Sequence, residues 1–129
     1  MQVLIFNLEN QKYALKTEFV KLIEKASKIT PIPKAPQYAK GVINLRGKIV
    51  PIVDIKYILE LQKTKEEENF IILCVKEKDF GISVDSVEEV IEVSKESFEN
   101  ELGKDLIKYN NEVITILEET DFMKAFEEC

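Results

Sequence analysis

The chain of 129 residues has no histidine, and only one of its 18 basic residues, Arg46, is an arginine. The missing histidine removes the commonest general base and the commonest metal ligand. Two cysteines, Cys74 and Cys129, form no CxxC pair. Cys74 sits in the apolar run "FIILCV" and is expected as a small core residue, while Cys129 is terminal and expected to be solvated. A disulfide between them would need an oxidising compartment. Every apolar run is broken by charge within about ten residues, too short to cross a bilayer as a helix. No stretch is both basic and aromatic, and the net charge is −6, which argues against nucleic acid as a partner. The sequences GxxxxGK[ST], GxGxxG and GxSxG do not occur. The start, "MQVLIFNLEN", lacks a charged leader and a small-residue cleavage site, so it reads as a first strand and the expected location is the cytoplasm.

What is present is a β-rich chain, 45% hydrophobic and 33% charged. Residues 3–8 and 12–15 read as a first hairpin around "ENQK". Thr17 is a candidate cap for a short helix over residues 18–25. "TPIPKAP" reads as an extended, unpaired connection because proline lacks the backbone donor. A hairpin over residues 39–53 follows, turning at Arg46-Gly47, and Asp54 caps a short helix ending near Leu59. Gly47 is expected in a type I turn with a G1 bulge, and Pro51 marks an edge or a bulge. "QKTKEEE" is a polar loop whose glutamates are expected in solvent. "NFIILCV" and "FGISV" are strands, whereas "SVEEVIEV" fits either a strand or a short helix. "SKESFENELGK" reads as irregular or helical, with Ser94 a candidate cap. Residues 106–109 and 112–117 flank an Asn110-Asn111 turn, and the chain ends in an amphipathic helix with Phe122, Met123 and Phe126 inward.

The two halves echo each other. Placing Tyr13 over Phe80 superposes Leu15 on Ile82, Glu18 on Asp85, Val20 on Val87 and Ile23 on Val90. Placing Arg46 over Asn110 superposes Gly47 on Asn111, Val50 on Ile114, Ile52 on Ile116 and Asp54 on Glu118. A tandem of two small barrels that pack together or exchange strands accounts for both alignments. The repeat isolates Arg46. Its counterpart turn is Asn110-Asn111, so the hairpin does not need an arginine. Elsewhere the chain uses lysine for positive charge. Arginine adds a planar fork that grips carboxylates or carbonyls bidentately. Arg46 is thus a clamp between lobes or a contact to a partner. Asp54, Asp85 and Glu118 sit at strand ends, where capping is the simplest role. A small hydrolase would need Asp54 and Asp85 together in one pocket.

The stretch "GVINLRGKIVPIVDI" closely resembles the signature of CheW-like proteins, the chemotaxis scaffolds that couple receptors to the histidine kinase CheA. "VLIFNLENQKYALKTEFV", "ITPIPKAPQYAKGVINLRG" and "FGISVDSVEEVIEV" resemble the same family over residues 3–93. The resemblance implies an all-β fold with short helices, built as two intertwined five-stranded SH3-like barrels within one domain, 1–129. It implies no catalysis, no cofactor and no metal. It implies two partners, the regulatory domain of CheA and the cytoplasmic tip of chemoreceptors, with recruitment to membrane arrays through them and no insertion of this chain. By the same resemblance Gly41, Asn44, Arg46 and Gly47 match the central motif, and Val20, Asp85 and Val87 match positions near an apolar groove. The sequence departs from the family after Val20, where Lys21 and Leu22 stand, and in the proline-free "SFENELGKDLIK". Two other readings are a scaffold of another chemosensory-type pathway and a small-molecule module using the inter-lobe groove.

Overall fold

A computed structural model describes residues 1–127, with side chains through Met123. Eleven strands and two short helices are described: β1 Gln2–Leu8, β2 Gln11–Lys16, β3 Val20–Lys25, β4 Ala39–Leu45, β5 Lys48–Val53, α1 Ile55–Ile58, β6 Asn69–Val75, β7 Lys78–Val84, β8 Ser86–Glu92, β9 Glu99–Glu101, β10 Lys104–Tyr109, β11 Glu112–Ile116 and α2 Glu119–Glu127. They form two sheets, one ordered β8-β1-β2-β11-β10-β9 and the other β3-β6-β7-β5-β4.

The two orders are the same path followed twice. β1 and β2 from the first half join β8, β10 and β11 from the second, while β6 and β7 join β3, β4 and β5. The registers repeat as well. Leu8 faces Gln11 and Val75 faces Lys78. Leu45 faces Lys48 and Tyr109 faces Glu112. In each sheet the exchanged hairpin is joined by a short parallel contact, Ile52 to Gly81 and Ile116 to Ala14. These pairs are the ones superposed by the sequence repeat.

The core has three parts. Val3, Ile5, Ala14, Ile91, Ile107, Ile114 and Ile116 fill one sheet. Ile43, Val50, Ile52, Phe70 and Ile72 fill the other. Between them lies a larger shared cluster, in which Leu4, Phe6, Leu8 and Leu15 meet Val53, Ile71, Leu73, Phe80 and Ile82. Alternation of side chains makes this possible, because β1, β2, β5 and β6 each offer one face to their own sheet's interior and the other to the shared core. Phe122 of α2 is buried in the shared core, its ring 5.5 Å from that of Phe80, and Met123 packs at the margin. The Phe126 side chain and Cys129 lie outside the described residues.

Several local expectations are corrected. Residues 18–25 are not a helix: a 3-10 turn, Thr17–Phe19, leads into β3, and Thr17 does not cap it. Pairing of β3 with β6 from Val20 to Lys25 overrides a helix-like spacing in a segment too short to hold a helix alone. "SVEEVIEV" resolves as β8 by pairing along β1. After a 3-10 turn, Lys95–Ser97, in which the Glu96 N–H bonds to the Ser94 hydroxyl, residues 99–101 add β9, so one sheet has six strands rather than five. Cys74 is half-buried at the end of β6 rather than a core residue. Pro51 lies in a strand with neighbours on both sides, yet β7 joins β5 only from Ile52 onward, so the donor missing at Pro51 costs no ladder bond to β7.

Candidate functional site

The hairpin β4-β5 closes through two residues, Arg46 at φ 53° and Gly47 at φ 84°. Two positive φ values in a two-residue loop define a type I′ turn, whose twist matches the strands. This replaces the expected type I turn with a bulge. Asn44 secures the turn: its Oδ1 accepts the Gly47 N–H at 2.9 Å. Arg46 occupies a left-handed conformation that costs a residue with a Cβ about 1 kcal/mol. Its side chain is exposed and has no hydrogen bond or ion pair among the described residues. No clamp between the sheets is therefore made by Arg46 to a described residue.

Gly41 has a different task at the base of the same hairpin. Its φ is 144°, and a Cβ there would lie 2.2 Å from the carbonyl oxygen of Thr30. Thr30 and Val42 exchange two backbone hydrogen bonds of 2.9 Å, so the chain from the proline-rich connection lies directly on Gly41. Glycine is the residue that fits.

Val20 and Val87 are counterparts in the repeat and sit at counterpart places. Both are half-buried against the shared core, each beside a register shift that bends its strand. Asp85 is neither in an apolar groove nor a cap. It is buried between β7 and β8, where its Oδ1 lies 2.6 Å from the Nζ of Lys56 and its Oδ2 accepts the Glu9 N–H at 2.6 Å. The structure thus groups Asn44, Arg46 and Gly47 at one tip, puts Gly41 at the base of that hairpin, and separates Val20, Val87 and Asp85 from them.

Sequence reasoning missed the charged joint around Lys56. This lysine on α1 is fully buried. Its Nζ lies 2.6 Å from Glu9, 2.6 Å from Asp85 and 3.7 Å from Glu67, and donates to the Lys65 carbonyl at 3.2 Å. Burial opposes its charge, but the carboxylates of Asp85 and Glu9 outweigh that and hold the ammonium above the ordinary lysine range. Glu9 is held down at about 2, first by Lys56 and then by the Thr64 hydroxyl, with the Thr64 and Lys65 N–H groups adding to this. Glu67, expected in solvent, instead takes Lys40 and the Ser83 hydroxyl besides Lys56. The one available signal was the spacing of "DIKYI": Lys56 follows the cap Asp54 on a helix too short to be amphipathic, with no polar face reserved for it.

Asp54 caps α1 as expected, accepting the Tyr57 N–H at 3.2 Å, and also pairs with Lys63. Glu118 is itself capped, its N–H bonded to Asp121 at 2.8 Å, and its carboxylate lies 3.4 Å from Lys16. Asp54 and Asp85 are each engaged in building the fold, on separate partners. An open, polar concavity of about 810 Å³ runs along Asn7, Gln11, Lys12, Asp85, Ser86 and Thr115. It is not an enclosed apolar cavity of the kind that small ligands prefer. Among the described residues, no helix is long and apolar enough to cross a membrane.

A model of the CheW-like domain matches residues 2–122. The chemotaxis protein CheW of Thermotoga maritima is 29% identical over 136 residues, covering 98% of this chain and 88% of that protein. The chemotaxis protein CheW of Treponema pallidum is 33% identical over 105 residues, covering 77% of this chain and 62% of its own length. The crystal structure of the scaffolding protein TtCheW from Thermoanaerobacter tengcongensis superposes with a TM-score of 0.85 at 29% identity, covering 91% of this chain and 83% of that one. The strand-exchanged β fold, the hairpin signature and these relatives agree: the chain belongs to the CheW-like domain family, a family of non-catalytic scaffolds.

Proposed function

We propose that this chain is a chemotaxis adaptor that couples chemoreceptors to the histidine kinase CheA without performing chemistry itself. Its partners are the regulatory domain of the kinase and the cytoplasmic tip of the receptor hairpin, and it works in the cytoplasm, held at receptor arrays through them. Residues 1–129 act as a single domain of two pseudo-repeated lobes.

The observation that carries this reading is the state of Arg46. A guanidinium on a preorganised turn, paired to no described residue, is available to a partner's carboxylate or carbonyl groups. Asn44 and Gly47 hold that turn, and Gly41 seats the hairpin. Val20 and Val87 supply apolar surface beside the shared core, and Asp85 holds Lys56. The carboxylates of Asp54 and Asp85 are occupied by structural partners, which supports an adhesive role over a hydrolytic one.

The test is a pull-down and calorimetric titration of the purified chain against the kinase regulatory domain and a receptor-tip fragment. Arg46→Ala should weaken binding by at least ~10-fold at an unchanged melting temperature. Arg46→Lys should be nearly as damaging, because an ammonium cannot make the bidentate contact, whereas Lys48→Ala should do less. Absence of binding to either fragment would overturn the coupling role.

A further inference from the structure

The five-stranded sheet is one unbroken run of strands, β3 to β7, whereas the six-stranded sheet is assembled from β1-β2 and from β8 to β11. The chain therefore passes from sheet to sheet twice. From β2 to β3 it takes a 3-10 turn, Thr17–Phe19. From β7 to β8 it takes a single residue, Asp85.

The bend at Asp85 decides which β1-β2 hairpin the segment from Ser86 onward can reach. Bent, it returns β8 to the hairpin of its own chain, where Val3, Ile5 and Ala14 pack with Ile91, Ile107, Ile114 and Ile116. Straight, it would run β7 and β8 together as one strand from Lys78 to Glu92, about 50 Å long at the usual rise per residue. The segment from Ser86 onward would then leave its own hairpin and cover that of a second chain. The strand pairs and apolar contacts of the six-stranded sheet would form again between the two copies, and only the corner would differ. Short hinges invite such an exchange.

Backbone sterics do not forbid the straight form, since Asp85 has none of the positive φ values of the tight turns. The side chain holds the corner instead. Its Oδ2 accepts the Glu9 N–H at 2.6 Å, and its Oδ1 lies 2.6 Å from the Nζ of buried Lys56. Glu9 closes the set with its own carboxylate, 2.6 Å from the same ammonium. Glu9 lies in the turn of the hairpin that β8 must rejoin, and Lys56 lies on α1, directly after β5. One carboxylate thus ties the corner to both sheets. A buried ion cluster adds little net stability over apolar packing, but it strongly disfavours any arrangement that separates its members.

We infer that Asp85, Lys56 and Glu9 form a latch that keeps the fold within one chain. A chain without the latch exchanges the segment from Ser86 onward with a second copy and forms an intertwined dimer. This does not rest on the receptor or kinase reading.

Asp85→Val tests it, because valine can take neither contact and favours extended backbone. Wild type and variant are unfolded in urea and refolded at ~0.5 mM, where a second chain competes with closure on the same one. Their masses are then read by light scattering on a sizing column. Wild type should emerge at 14.9 kDa. Asp85→Val should emerge at twice that mass, its dimer association constant raised at least ~100-fold. Lys56→Met should behave alike, and it decides the matter if Asp85→Val does not fold. Gly41→Ala, strained within the five-stranded sheet and away from the corner, should refold as a monomer, which separates the latch from a general loss of stability. Gln2→Cys with Glu92→Cys, in chains with serine at 74 and 129, joins β1 to β8 where these residues are directly opposed. In an exchanged dimer this disulfide links two chains, so the dimer survives non-reducing denaturing electrophoresis. A monomer from either latch variant overturns the inference. So does a dimer that separates into single chains on that gel, or a Gly41→Ala chain that dimerises as readily.

Discussion

Lys56→Met separates the buried charge from the buried stem. Methionine keeps much of the apolar length of lysine and removes the ammonium that Glu9 and Asp85 both approach at 2.6 Å. The wild-type pair need not stabilise the fold much relative to an apolar substitute, because desolvation offsets attraction. Removing one partner alone is different. It leaves the Asp85 carboxylate buried beside Glu9 without its cation, a loss of about 3–5 kcal/mol. An unfolding entropy of about 2.1 cal/mol/K per residue gives roughly 270 cal/mol/K for this chain, so the melting temperature should fall by about 11–18 °C. Thermal and urea unfolding at pH 7 measure this. The pH dependence provides a second check. Glu9 is held at about 2 against 4.5 in the unfolded chain, so its contribution is complete above pH 4.5 and is lost as pH falls toward 2. Lys56 supplies the largest part of that depression, so the gap between wild type and variant should close over the same interval. Adding Asp85→Asn to Lys56→Met should recover part of the loss at pH 7. A melting temperature lowered by less than ~3 °C, or a gap unchanged on acidification, would refute the idea that the three carboxylates depend on this lysine.

Gly41→Ala should cost about 2–4 kcal/mol in urea unfolding, because the new methyl group meets a backbone carbonyl that cannot rotate away. Phe122→Ala should cost about 3–5 kcal/mol, as α2 loses the side chain that fixes it to Phe80 and the shared core. Arg46→Gly should raise stability by about 1 kcal/mol by relieving the left-handed φ, while abolishing partner binding; a drop in stability would mean that the guanidinium holds the fold.

Hairpins were legible because their signal is local. Arg46-Gly47 and Asn110-Asn111 sit between apolar runs of strand length, and both became two-residue turns. So did Glu9-Asn10 and Lys76-Glu77, where Glu9, Lys76 and Glu77, unlike Asn10, are poorly suited to positive φ and are held there by flanking strands. The Asp54 cap was readable for the same reason, since the donor is three residues away. Residues 18–25 were misread because their state is set by β6, which lies more than forty positions later. Among the candidate site residues, the Arg46 tip was visible through composition and the repeat. The surroundings of Asp85 were not, because its partners Glu9 and Lys56 come from distant elements that no spacing rule connects.

By itself, the sequence determined the strand periodicity, the turns, the twofold repeat and the isolation of one arginine. These follow from steric preferences and alternation over a few residues. Only the tertiary structure decided that the halves exchange hairpins, so that β1 and β2 complete one sheet and β6 and β7 the other. It alone decided that a lysine would be buried among three carboxylates. Those outcomes depend on which distant segments share a face, and that is fixed by burying one common apolar core rather than by any local pattern.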